Sequence, residues 1–411
     1  MAHMSPDAAS DRESDRMPEQ ASDMTTARTD DSSGAADPWI VLAHAVEPGD
    51  PSVAELLSQI GQEEFLARAR AGRTGLRQGE GIAARLAGVE AAAARDRAEQ
   101  VGARIVTRVD REWPSQLSAL GERTPLALWV MGAADLRLAA LRSVAMVGAR
   151  ACTAYGEEIA RTWSMELVAS GWTIVSGAAF GIDASSHRAA LHAGGLTIAM
   201  VAGGVDVAYP VAHASLLAQI ADQGLVVSEV PPGESVRRQR FLSRNRMIAA
   251  LSRATVVVEA AERSGTSVTA RAAWSLQRPV LAVPGPVTSP ASAGCHRMVQ
   301  EGMAVLVTAC SDVLAAVDLE SGGVPATSTP TPRDPRARRD ALADREVRIL
   351  DALPSRGSID LAGLVRRSGL GTRDVLASAS ILVAQGWVEE GPLGWRRLRV
   401  PAAPTSSALR P

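Results

Sequence analysis

The sequence contains no lysine. All 43 basic positions among its 411 residues are arginine, so each cation is a planar, permanently charged fork suited to phosphate. Cysteine is nearly absent too: Cys152, Cys295 and Cys310 are scattered and odd in number. With no CxxC and no Cys/His metal spacing, a disulfide framework and a structural zinc site are excluded, and a reduced, cytoplasmic protein is expected. No apolar run approaches the roughly 20 residues of a membrane span, so no membrane association is expected. Residues 1–36 hold Asp, Ser, Thr and Ala without an apolar signal core and read as a disordered leader. The GxGxxG dinucleotide fingerprint and the GxxxxGKS/T phosphate loop are missing. No metal and no cofactor are expected.

What remains is the composition of a soluble globular protein, 46% hydrophobic with a net charge of −2, so overall charge does not reveal a partner. The length allows two or three domains and at least one sizeable core. The chain is organised around residues 143–183. SVAMVGAR is an apolar run stopped by glycine, suited to a strand buried on both faces. Ile159, Trp163, Leu167 and Val168 then recur at helical spacing up to Gly171, and a second apolar run, WTIV, ends in Ser176-Gly177. This is a strand–helix–strand unit of the length a right-handed parallel crossover requires.

Residues 37–102 read as short helices separated by glycine. They form either a helix-hairpin-helix-like module on the DNA backbone or a plain helical cap. From residue 103, ARIVTRVDREWPSQL and TPLALWVMG supply one or two strands leading into the sheet. Beyond residue 143 strands and helices alternate to residue 318, which predicts an α/β fold with a doubly wound, mainly parallel sheet. Residues 319–340, rich in Pro, Thr and Arg, read as a linker. Residues 341–400 show three amphipathic helical stretches followed by strand, Gly-Pro turn, strand, the pattern of a winged helix. Residues 401–411 read as a disordered tail.

The strands end in glycine-rich turns: Gly148-Ala149-Arg150, then Ser176-Gly177 through Gly181, then Gly203-Gly204, Ser264-Gly265-Thr266 and Pro284-Gly285. Small residues let backbone N–H groups approach an anion, and the helix N-termini behind them add positive partial charge. Several such turns on one sheet edge make a phosphate-binding surface; equally, any doubly wound sheet needs glycine for tight turns. Residues 235–253 hold six Arg (237, 238, 240, 244, 246 and 253), no acid, and Phe241. Such a run is either a solvated face or a track for single-stranded nucleic acid, where charge follows the backbone and a ring stacks a base. Phe241 serves there or packs in the core. Asp183 and His187 stand at i, i+4 and are either an acid–base pair or a helix cap and a packed ring. Glu229 and Glu259 end strands near the same rim, as general acids, ribose ligands or arginine partners.

Residues 103–317 resemble the DprA/Smf family of DNA-processing proteins. The resemblance runs through VGAR, SGAAFGIDASSH, GLTIAMVAGGVDVAYP, FLSRNRMIAALS, VVVEAAERSGTSVTA and RPVLAVPG in the family's order. It implies an extended Rossmann-like domain without catalytic activity that binds single-stranded DNA, forms a homodimer and loads the recombinase RecA. Gly148 and Arg150 match the family's Gly-Ser/Thr-Arg motif. Ser176, Gly177, Gly181 and Asp183 match Ser-Gly-x-x-x-Gly-x-Asp. Phe241, Arg244, Asn245 and Arg246 match Phe-x-x-Arg-Asn-Arg, and Ser264, Gly265 and Thr266 match Ser-Gly-Ser/Thr. Ala149 departs from the family's pattern by lacking a hydroxyl; Leu242 stands where Pro is usual, Ser186 where Ala is usual and Trp113 where Tyr is usual. The expected recognition helix of the winged segment, residues 372–385, carries only Arg373 as a cation and also Asp374, which is weak charge for a groove reader.

The expectation is a non-enzymatic single-stranded DNA binder that protects incoming strands, with Arg150→Ala and Arg244→Ala weakening binding at unchanged thermal unfolding. The alternatives are a phosphoribohydrolase-like enzyme on a related sheet, whose Pro-Gly-Gly-x-Gly-Thr-x-x-Glu turn this sequence does not reproduce, and a pure adaptor.

Overall fold

The structure is a computed structural model that describes residues 32–262, 264–320, 342–354, 357–384 and 386–398. These fall into two compact units, one ending at Glu320 and one beginning at Leu342. The stretches expected as linker and tail lie mostly outside the described residues.

The first unit opens with α1 (Ser32–Ala45), α2 (Pro51–Ile60), α3 (Gln62–Arg70), α4 (Gly79–Leu86) and α5 (Ala91–Gln100). Helices this short are marginal alone; α1 to α4 close around Leu42, Val53, Phe65, Ile82 and Leu86. Asp50 accepts from the amides of Ser52 and Val53 to start α2, with Pro51 at its first position. α1 begins inside the stretch expected as leader. The long Ala/Arg/Glu segment breaks into α4 and α5 because Gly88 turns the chain at a φ of +80°.

The sheet is built from β1 (Ala103–Thr107), β2 (Ala127–Met131), α6 (Leu136–Leu141), β3 (Ser143–Val147), α7 (Ala154–Ala169), β4 (Thr173–Ser176), α8 (Ile182–His192) and β5 (Thr197–Val201). It continues through α9 (Ala214–Gln223), β6 (Leu225–Ser228), α10 (Arg238–Leu251), β7 (Ala254–Val257), α11 (Thr266–Ser275), β8 (Val280–Ala282), α12 (Ala293–Gln300), β9 (Val305–Leu306) and α13 (Cys310–Glu320). The strand order is β1-β2-β6-β5-β4-β3-β7-β8-β9. From β6 to β9 all neighbours are parallel, as the alternation predicts. β1 and β2 extend it as an antiparallel edge, β2 pairing with β6.

Alternate residues of the central strands feed two cores. Val144 and Met146 of β3 face Trp163, Leu167, Val313 and Val317. Ala145 and Val147 join Met247, Ile248, Leu251, Ala270 and Ala273 on the opposite layer. α12 is not anticipated by the sequence: no side chain caps it and glycine lies within it. Gly294 is what allows it, since a Cβ there would stand 2.6 Å from the Ala260 carbonyl oxygen.

The second unit holds α14 (Asp344–Ala352), α15 (Leu361–Ser368), α16 (Thr372–Ala384), β10 (Val388–Gly391) and β11 (Gly394–Arg397). The last two form an antiparallel hairpin, and Ile349, Leu364, Val375, Leu382, Trp387 and Trp395 make a core of their own.

Candidate nucleic-acid interface

The chain leaves β3 toward β4, β5 and β6 on one side, while β7 lies on the other side of β3. β3 and β7 therefore flank the switch point, where open α/β sheets receive ligands at the carboxyl ends of their strands. The glycine-rich turns marked in the sequence all issue from that edge. Those after β3, β4 and β7 touch one another. The Ile182 amide donates to the Ala149 carbonyl at 3.2 Å, joining the β3 and β4 turns. Gly181 sits at a φ of +73°, and a Cβ there would lie 2.2 Å from the same oxygen, so this contact requires glycine. The Thr266 hydroxyl donates to the Gly148 carbonyl at 3.0 Å, adding the β7 turn.

Helix α10 runs beneath this rim and fastens it. Arg244 Nη1 donates to the Gly177 carbonyl at 2.7 Å and to the Met200 carbonyl, tying the β4 turn to β5. Gly177 is small for this reason: a Cβ there would lie 2.2 Å from Nη1. Asn245 Nδ2 donates to the Gly265 carbonyl at 3.4 Å. Arg246 forms a forked pair with Glu229, 2.8 and 2.6 Å, after β6. Three successive residues thus pin three different turns. All are buried, at 7, 8 and 4% exposure. Burial lowers the Arg244 guanidinium to about 10, against the pull of Asp183, so it is charged at neutral pH, and its Nε faces no acceptor among the described residues.

Above α10 stands Arg150, exposed, its guanidinium carbon 5.6 Å from the centre of the half-buried Phe241 ring. That is a cation–π distance. Tyr209 tilts against Phe241 at 5.3 Å, and Phe180, beside Gly181, meets the His213 ring edge-on at 4.6 Å.

A family model described as DNA recombination-mediator protein A matches residues 104–318, a little over half of the chain. The chain belongs to the DprA/Smf family. It is 40% identical over 374 residues to the putative DNA processing protein DprA of Mycobacterium tuberculosis H37Rv, covering 89% of this chain and 95% of that protein. It is 35% identical over 304 residues to Protein Smf of Escherichia coli K12, covering 73% of this chain and 79% of the relative. The solved structure of DNA processing protein A from Streptococcus pneumoniae superposes with a TM-score of 0.58 at 34% identity, covering 67% of this chain and 95% of that one.

Besides the buried Asp183, the DprA/Smf motifs mark twelve residues, of which Gly148, Arg150, Gly181, Phe241, Ser264 and Gly265 reach the surface of the rim wholly or in part. Ser176, Gly177, Arg244, Asn245, Arg246 and Thr266 lie under it. The Ser176 hydroxyl donates to the Met146 carbonyl at 2.6 Å. Arg244 is thus no surface contact, and its loss would strand two carbonyls; unchanged unfolding, expected for Arg244→Ala from the sequence, is not what its burial implies. Ala149, the DprA/Smf departure, uses its carbonyl rather than a side chain.

The arginine run is largely spent within the fold. Glu47, from the α1–α2 loop, pairs with Arg237 at 2.8 Å and with Arg240 at 3.0 Å, and Glu234 also holds Arg240. Arg253 donates to the Leu141 carbonyl at 3.1 Å. Sequence reasoning missed Glu47 because it lies 190 residues or more before its partners. It also missed Phe180 and Tyr209, whose signal was the rarity of Phe and Tyr in this composition.

Asp183 and His187 do not form an acid–base pair. Asp183 accepts from the Ala179 amide at 3.2 Å; burial raises its pKa, against Arg244. The Thr197 hydroxyl donates to the Ile174 carbonyl, so it accepts from His187 Nδ1 at 2.7 Å. Burial, with Arg244 and His213 nearby, lowers His187 to about 3 and keeps it neutral. Glu259 accepts from the Thr153 amide and hydroxyl, 2.9 and 2.6 Å, at the start of α7, and Gly156 leaves it room.

Proposed function

We propose that the chain is a non-enzymatic single-stranded DNA-binding protein of DNA uptake, which protects incoming strands and loads RecA onto them. The observation that carries this reading is Arg150, exposed at the switch point over the Phe241 ring, on a rim of tight glycine turns. A cation beside a ring serves a single strand: the guanidinium takes a phosphate and the ring a base. Membership of a family whose members are named DNA processing proteins supports it. The protein works as a cytoplasmic homodimer, without metal or cofactor. The three helices and hairpin of the second unit act as a winged helix in protein contact or regulation, since Asp374 of α16 pairs with Arg345 at 3.1 Å and Arg373 is left as that helix's sole cation.

Fluorescence anisotropy with oligo-dT at two salt concentrations tests the reading. Arg150→Ala is expected to weaken binding and to lower the salt slope by about 0.7, one phosphate on a single strand. An Arg150→Ala protein that binds like the parent sinks the proposed site. Release of ribose 5-phosphate from AMP would overturn the non-enzymatic part.

A further inference from the structure

Aromatic rings are few in this chain, and eight of its thirteen Phe, Trp and Tyr are buried. Phe65 and seven of the eight tryptophans are at most 8% exposed. The rim carries exposed rings. Phe180 is 47% exposed and Tyr209 42%; they come from separate turns, after β4 and after β5, and meet the same neighbourhood. Gly181, next to Phe180, packs on the Arg150 carbonyl, which a Cβ there would approach to 2.6 Å. Tyr209 touches Phe241, which Arg150 overlies.

Both rings are held in place. Phe180 leans on His213, which is itself buried and fixed to the Ala178 carbonyl through Nδ1 at 2.9 Å. Tyr209 is braced at an interplanar angle of 57° against Phe241. Edge and tilted contacts of this kind leave ring surface uncovered. The other two exposed rings differ, Tyr155 in having its hydroxyl engaged and Trp274 in its place. The Tyr155 hydroxyl donates to the Pro284 carbonyl at 2.8 Å and ties α7 to the β8 turn. Trp274 sits near the end of α11, away from the rim.

We infer that Phe180 and Tyr209 are base-stacking residues, each presenting ring surface to a nucleobase of a strand whose phosphate is held at Arg150. This rests on the DNA-binding reading of the same rim and adds that the site recognises base faces at more than Phe241. Stacking tolerates any base, so the two rings contribute affinity without sequence preference.

The test compares oligo-dT with an abasic oligonucleotide of equal length by fluorescence anisotropy, using the full chain. Phe180→Leu and Tyr209→Leu keep apolar bulk and remove the ring. Each is expected to lose roughly five- to a hundredfold on oligo-dT and to match the parent within about twofold on the abasic strand. Phe180→Tyr and Tyr209→Phe, which keep the ring, are expected to bind both strands like the parent. Arg150→Ala is expected to lose on both. If the leucine variants bind oligo-dT like the parent, or lose as much on the abasic strand, the inference is wrong while an Arg150 effect leaves the DNA reading intact. If the parent binds neither strand, both fall together.

Discussion

The turns at the sheet edge and the helix beneath them both carry arginine, and they spend its charge in opposite ways. Arg150, in the turn layer, is exposed and overlies a ring. One layer down, Arg244 and Arg246 are enclosed and satisfy carbonyls and a carboxylate of their own chain. A guanidinium donates in several directions in one plane, so a buried one gathers several turns where a buried apolar side chain would leave their carbonyls unpaired. The lower layer makes the rim rigid; the upper layer is left to meet a ligand.

The strongest way to break this comparison is Arg246→Ala. Arg246 and Glu229 are 4 and 11% exposed, and removing one partner of such a pair leaves an uncompensated charge, costing about 3–5 kcal/mol. Urea unfolding measures it, and a loss below about 1 kcal/mol would mean that α10 does not fasten the rim. The buried His187 predicts a pH dependence. His187 is held neutral, its pKa lowered from 6.5 to about 3, while the unfolded chain takes up the proton near 6.5. Its contribution to stability is full above pH 6.5 and is lost as pH falls toward 3, at up to about 1.4 kcal/mol per pH unit. His44 is lowered by burial and acts in the same sense. His187→Gln is expected to flatten the stability profile between pH 6.5 and 5, and an unaltered slope would count against a buried neutral ring. The smallest effect belongs to the upper layer: Arg150→Ala is expected to shift unfolding by no more than about 0.5 kcal/mol. A larger loss would place Arg150 among the fasteners.

Much of this was legible in order of residues. Apolar runs stopped by glycine marked the strands, helical spacing marked the crossovers, and the spacing of Gly148, Gly177, Gly181 and Gly265 marked turns that do meet at one edge. Charge density in residues 235–253 was legible as well, but not its use. Glu229, already marked as a possible arginine partner, takes up Arg246, whereas Glu47, which takes up Arg237 and Arg240, lies about 190 residues before them and was not marked. The antiparallel pairing of β2 with β6 was likewise invisible, because a buried strand reads the same in either direction.

By itself the sequence determined most of the strands and helices of the sheet, α12 excepted, and that glycine and arginine concentrate at the strand ends, because periodicity and turn chemistry are local. Only the tertiary structure decided which arginines face water and which hold the fold. That choice depends on carbonyls and carboxylates brought close by the crossovers, and burying a guanidinium is tolerated only where such partners are already in reach.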